Sequence, residues 1–120
     1  NGLLWRNAYY FEIKLKDITD GQSKTFMVGE GVVSQDLHSP ALFADGDWAS
    51  CNVPLNFFML DESKVASEWW EMRGFRSLHP GGAQFALADG SVQFFQDGVD
   101  HNIYRAMATR NGGEIVSQSN

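Results

Sequence analysis

The chain has 120 residues, 43% hydrophobic and 20% charged, which is enough for one small core and not for two. A formal charge of -6, with RGFR at residues 73 to 76 as the only locally basic run, argues against sequence-independent nucleic-acid binding, which needs clustered Lys and Arg. No stretch approaches the roughly 18 uninterrupted apolar residues of a membrane span, and the opening NGLLWRNAYY carries no basic-then-apolar targeting pattern.

Residues 9 to 18, YYFEIKLKDI, alternate Phe11, Ile13 and Leu15 with Glu12, Lys14 and Lys16. That is the period of a half-buried antiparallel strand, wet on one face. TDGQS, residues 19 to 23, breaks the pattern, and KTFMVGEGVV, residues 24 to 33, is a β-prone apolar run whose glycines predict a bulge or bend. Residues 34 to 73 read as a loop-rich insertion within the single domain 1 to 120. Periodicity fades there, Pro40 and Pro54 interrupt, and short strands are expected at Ala41 to Ala44 and Leu55 to Leu60.

From Ala83 the pattern sharpens. Taking Asp89-Gly90 as the two-residue loop of a type I′ hairpin sets Leu87 opposite Val92, Ala86 opposite Gln93 and Phe85 opposite Phe94. Both large apolar pairs then share one face, and Phe95 is left for the other. Asp97-Gly98 ends the hairpin, and VDHNIYRAMATRNGG follows as a short helix over about 100 to 109. Asp100 is its N-cap, Ile103, Ala106 and Met107 share a face, and Gly112 or Gly113 supplies a left-handed stop. EIVS, residues 114 to 117, is a candidate last strand. The fold class expected is α+β: a small antiparallel sheet with long loops, a C-terminal β-hairpin and one short helix.

The residues that could carry chemistry are few. His79 and Asp89 bracket the first hairpin strand, and six extended residues span on the order of 17 Å, so the two cannot share a proton or a metal within one subunit. Asp89 is sufficiently explained as a turn residue. His79 is read as a backbone-bonding side chain beside Pro80-Gly81-Gly82, near Asp97, Gly98 or the helix start. Asp97, Asp100 or His101 would be its partners if it bound a metal.

Elsewhere, FADGDWAS, residues 43 to 50, reads first as a solvated turn; Asp45 and Asp47 also offer the beginning of a calcium site, without the spacing of an EF-hand. Trp69 and Trp70, flanked by Glu68 and Glu71, suit packing within or between subunits, or stacking on a sugar. Cys51 is the single cysteine, which rules out an intrachain disulfide; it reads as a buried thiol, or as an intermolecular bridge in a secreted protein. No nucleophile, base and orienting carboxylate assemble, and the chain is not read as an enzyme.

HPGGAQFALADG, with His79 nine residues before Asp89-Gly90, resembles the H-x9-DG signature of a bacterial family of prepilin-type, pseudopilin-like proteins of unknown function. DITDGQSKTFMVGE, residues 17 to 30, and IYRAMATRNGGEIVS, residues 103 to 117, are similar to two further blocks of that family, in the same order. The resemblance implies an N-terminal leader and a long apolar helix that anchors the protein in a membrane and builds a filament core. The globular part is then an extracytoplasmic head whose partners are copies of itself or other pilin-like subunits. This chain lacks that helix and begins without Met, so it is expected to be a head portion with one sheet face short of cover. In the related major pseudopilins calcium sits in a loop of the head. The rival expectation is a secreted, calcium-assisted glycan- or peptide-binding module.

Overall fold

A run of β-branched and aromatic residues after the turn at Gly21 builds the first strand, Phe26–Gly29 (β1), in a computed structural model that describes residues 2–3, 12–37 and 49–113. Gly82–Leu87 (β2) and Val92–Gln96 (β3) complete a three-stranded antiparallel sheet in the order β1-β2-β3. The helix His101–Ala106 (α1) follows, and Tyr104 and Met107 are buried against the sheet. The class is α+β.

Phe26 faces Leu87 while Val28 faces Ala86, so Met27 is an extra residue: the bulge expected in this run is present. The inner faces of the strands then present Phe26, Ala83, Phe85, Leu87 and Phe95 to the helix. Phe26 stacks on Phe85 at 4.2 Å between centroids, and Phe95 meets both edge-on, at 5.0 and 5.5 Å. Such pairs contribute about 0.5–1.5 kcal/mol each beyond their buried area. Gly29 is part of this packing. A Cβ there would lie 2.5 Å from the Phe75 ring and 2.6 Å from the Phe85 ring, so only glycine lets both rings reach the end of β1.

The hairpin exists, but its register is one residue away from the type I′ expectation. Ala86 faces Val92, Phe85 faces Gln93 and Ala83 faces Phe95. The loop is Ala88-Asp89-Gly90, with the Gly90 amide donating to Leu87 O, the Leu87 amide donating to Ser91 O, and Gly90 at φ 85°. This is a type I turn closed by a glycine bulge, in which only Gly90 needs positive φ. The Asp89 carboxylate accepts from the Ser91 amide and hydroxyl, which holds the turn in that form. The one-residue shift exchanges the faces: Phe95 goes inside opposite the small Ala83, where there is room for its ring, while Val92 and Phe94 go outside.

Two strand expectations are overturned. Residues 12–18 of the expected strand 9 to 18 turn instead through a 3-10 turn, Leu15–Asp17, with Leu15 63% exposed. The Asp17 carboxylate accepts from the Lys14 amide, a local side-chain bond that competes with extended pairing. Leu55 to Leu60 is not a strand either. Asn56 sits at φ 56° and the Phe57 amide donates to Pro54 O, so the chain bends where a strand would have to run straight. Ala41 to Ala44, the EIVS strand and residues 9 to 11 lie outside the described residues. Within 49–73 the regular structure is two 3-10 turns, Glu62–Lys64 and Trp69–Glu71. No helix of the described residues is long and apolar enough to cross a membrane.

Candidate functional site

The helix cap is as expected: Asp100 accepts from the Asn102 and Ile103 amides. Residues 109 to 113, just past the helix, account for the pairing of the signature blocks. Asp20, in the block of residues 17 to 30, accepts from the Gly112 amide at 2.7 Å, the Gly113 amide at 3.0 Å and the Thr109 hydroxyl at 3.1 Å. Gly113 takes φ 76°, which aims these amides at one carboxylate. Desolvation pushes the Asp20 carboxyl upward, but the bonds from Gly113, Gly112 and Thr109 outweigh it and hold its pKa below the ordinary carboxylate value. The Asp20 side chain thus ties the first block of the sequence to the last, beside the backbone bonds from the Asp20 amide to Arg110 O and from the Phe26 amide to Met107 O.

The hairpin turn is tied to the first block as well. The Ala88 amide donates to Thr25 O and the Asp89 amide to Gln22 O. Thr25, fully buried, turns its hydroxyl back to Gly21 O. Asp89 keeps its carboxylate for Ser91, whose hydroxyl and amide lower its pKa.

His79 stands at the opposite end of β2. The Asp97 amide donates to Gly81 O, so the hairpin does close beside the histidine, as the spacing predicted. The imidazole is drawn elsewhere: its Nε2 lies 3.3 Å from Glu30 Oε1, an ion pair whenever the ring is protonated. Glu30 Oε2 accepts from the Gln84 amide, and Glu30 O accepts from the Arg76 amide. Of the groups named as metal partners for His79, Asp97 accepts from the Asn56 side chain and Asp100 caps α1, while the His101 ring lies 6.1 Å from the Tyr104 ring. Glu30 was missed as the partner of His79, although both fall in blocks of the resemblance. Nothing in the spacing shows that a carboxylate 49 residues upstream returns to the hairpin base.

Three polar side chains hold the loop-rich region. Arg76 is fully buried, and its guanidinium donates to Phe57 O, Met72 O and Gly74 O. Burial draws its pKa below the ordinary value, opposed by the Asp36 charge. The Gln35 side chain bonds both the amide and the carbonyl of Met59, as a strand neighbour would. Asn56 accepts from the Ser77 amide and donates to Asp97. Cys51 is a buried free thiol, pushed up to about 12 by desolvation against a lowering contact from Tyr104. The Tyr104 hydroxyl beside it is buried, and its pKa is raised by desolvation and by the neighbouring Cys51 thiol.

Trp69 and Trp70 lie on the surface in an edge-to-face pair at 5.9 Å, with Trp70 58% exposed. The Arg73 guanidinium sits 5.0 Å from the Trp69 ring centroid. Asp45 and Asp47 lie outside the described residues, and among the described residues no three His, Cys, Asp or Glu converge as a metal site.

This arrangement fastens loops to a small sheet through carboxylates that accept backbone amides, and among the described residues the tryptophan pair and the outer sheet face with Val28, Val92 and Phe94 are exposed. Comparison with family models matches residues 1–102 to a family described as "Protein of unknown function (DUF1559)". No curated protein and no solved structure matches the chain.

Proposed function

The chain belongs to the DUF1559 family of proteins of unknown function, and from that premise we propose that it is the extracytoplasmic, pseudopilin-like head of a structural subunit, acting in subunit packing of a filament or secretion apparatus. The observation that carries this reading is that the signature side chains bond within the chain. Asp20 holds Gly112 and Gly113, the Asp89-Gly90 turn seats on Gln22 and Thr25, and Glu30 joins His79 to the end of β1. A motif built for catalysis directs its polar groups at a substrate. This one closes a scaffold, and a scaffold whose outer sheet face carries Val28, Val92 and Phe94 suits assembly.

The resemblance supplies the rest of the reading, namely an apolar N-terminal helix and partners that are copies of this chain or other pilin-like subunits. Top-down mass spectrometry of the protein isolated from its source tests it. An intact chain in which an apolar helix with a methylated first residue precedes Asn1 is expected; a native terminus at Asn1 refutes it.

The exposed Trp69 and Trp70 favour one second reading, a secreted glycan- or peptide-binding module assisted by calcium at Asp45 and Asp47. A glycan array is its test: a micromolar ligand lost in Trp70→Ala supports it, and an array without binders removes its glycan form.

A further inference from the structure

Residues 61 to 72 run as a ridge of short turns. The 3-10 turns Glu62–Lys64 and Trp69–Glu71 are joined by the Glu68 amide, which donates to Lys64 O, and Asp61 caps the first through the Ser63 amide. Of these residues only Val65 and Met72 are buried, and Met72 O is held by the Arg76 guanidinium. The ridge is thus pinned at two points, with its other side chains exposed or half-buried.

In a 3-10 turn, side chains three residues apart eclipse, so the turn closed by the Glu71 amide on Glu68 O sets Glu68 and Glu71 on one side. Among the described residues neither carboxylate is in an ion pair. Trp69 already carries a cation: the buried Arg73 guanidinium lies 5.0 Å from its ring centroid. Trp70 is braced against Trp69 at an interplanar angle of 80°, is exposed, and among the described residues has no cation on its ring. An indole face attracts a cation more strongly than any other side-chain ring. The interaction that Trp69 makes within the chain is therefore still open at Trp70, beside two unpaired carboxylates. Charge decides the occupant. Residues 61 to 71 hold Asp61, Glu62, Glu68 and Glu71 against Lys64, a net -3 out of the formal -6 of the whole chain. A second copy does not fit: it carries the same -6, and both arginines of its one locally basic run, RGFR at residues 73 to 76, are buried.

We propose that Trp70, with Glu68 and Glu71, is a docking surface for a basic segment of another protein, which lays an arginine side chain over the Trp70 ring and sets its charge beside the two carboxylates. Arginine fits better than lysine because the guanidinium is planar, stacks on an indole and is more weakly hydrated than an ammonium. The inference rests on the peptide form of the second reading and names its partner; it uses neither calcium nor Asp45 and Asp47. A contact of one exposed ring and two solvated carboxylates is weak, in the high-micromolar to millimolar range at low salt, and is screened as salt rises.

Titration of the 120-residue chain with acetylated hexa-arginine amide, followed through the indole N–H signals in NMR spectra at low salt, tests this. The Trp70 signal should move saturably, stay in place with hexaglycine amide, and respond several-fold more weakly at about 200 mM salt. Trp70→Ala should lower the affinity about two- to fivefold and Trp70→Phe by less. Glu71→Gln should lower it more than Glu12→Gln, an equal loss of net charge outside the ridge, with circular dichroism of every variant that of the wild type. The proposal is overturned if hexa-arginine leaves the Trp70 signal unmoved or if Trp70→Ala binds as the wild type does. Equal losses in Glu12→Gln and Glu71→Gln also overturn it, because the peptide would then respond to net charge alone. Failure here is distinct from failure of the second reading. A glycan-array binder with no response to hexa-arginine overturns the docking surface and leaves that reading standing, whereas a response to hexa-arginine with an empty array upholds the surface and removes only the glycan form.

Discussion

Replacing Asp20 by Asn removes the charge that ties the first block of the chain to the last while leaving the side chain's shape intact. The carboxylate receives the Gly112 and Gly113 amides and the Thr109 hydroxyl on its two oxygens. An Asn side chain offers one acceptor oxygen and turns an NH2 toward at least one of these donors. Hydrogen bonds to a charged group are worth about 1.5–3 kcal/mol each when buried. Asp20 is partly open to water, so screening reduces the whole set to about 1–2 kcal/mol. That corresponds to a fall in Tm of about 4–10 °C for a domain of this size.

The charge adds a pH signature. Because the folded carboxyl is held below its ordinary value, against about 3.9 in the unfolded chain, its stabilisation is fully present above the unfolded pKa and is lost as pH falls through the folded one. Thermal unfolding of wild type and Asp20→Asn, followed by circular dichroism from pH 8 to pH 3, should show a gap that is flat down to about pH 5 and closes below about pH 4. All other carboxylates are common to both proteins and cancel in the difference. A gap that persists unchanged at pH 3, or no gap at neutral pH, would refute the assignment of Asp20 as a charged clamp.

Two glycine substitutions separate steric from conformational need. Gly29→Ala drives a methyl into the Phe75 and Phe85 rings and should cost about 1–3 kcal/mol in urea unfolding. Gly90→Ala meets no atom within 4 Å, and its cost of about 1–2 kcal/mol comes from φ 85° alone, so Gly90→Asn should recover part of it. Equal recovery by Asn at position 29 would contradict that distinction. The Cys51 thiol, buried and pushed up to about 12, should resist alkylation by iodoacetamide at pH 8 in the folded protein and react fully in 6 M guanidinium; rapid labelling of the native state would contradict its burial. Arg76→Met leaves the Phe57, Met72 and Gly74 carbonyls without their donor and Asp36 without its nearby charge, and should lower stability by about 3–5 kcal/mol in the same urea assay.

Local pattern by itself determined a good part of this protein. The α+β class, the bulged strand within KTFMVGEGVV, the Asp89-Gly90 turn, the Asp100 cap and the burial of Cys51 are consequences of nearest neighbours in sequence, and each was legible there. The separation of His79 from Asp89 followed from strand length alone. Tertiary structure decided the rest. The hairpin register moved by one residue because a type I turn with a glycine bulge asks positive φ of Gly90 only, and because Phe95 fills the space beside Ala83 under α1. The alternation in residues 12–18 did not become a strand because the Asp17 carboxylate closed a turn. The pairings of Asp20 with Gly112, Glu30 with His79 and Arg76 with the Phe57 carbonyl join residues whose separation in sequence carries no periodic signal. Periodicity reports which side of an element is dry; which distant carboxylate satisfies a given amide is settled only when the chain has closed and every buried polar group must find a partner.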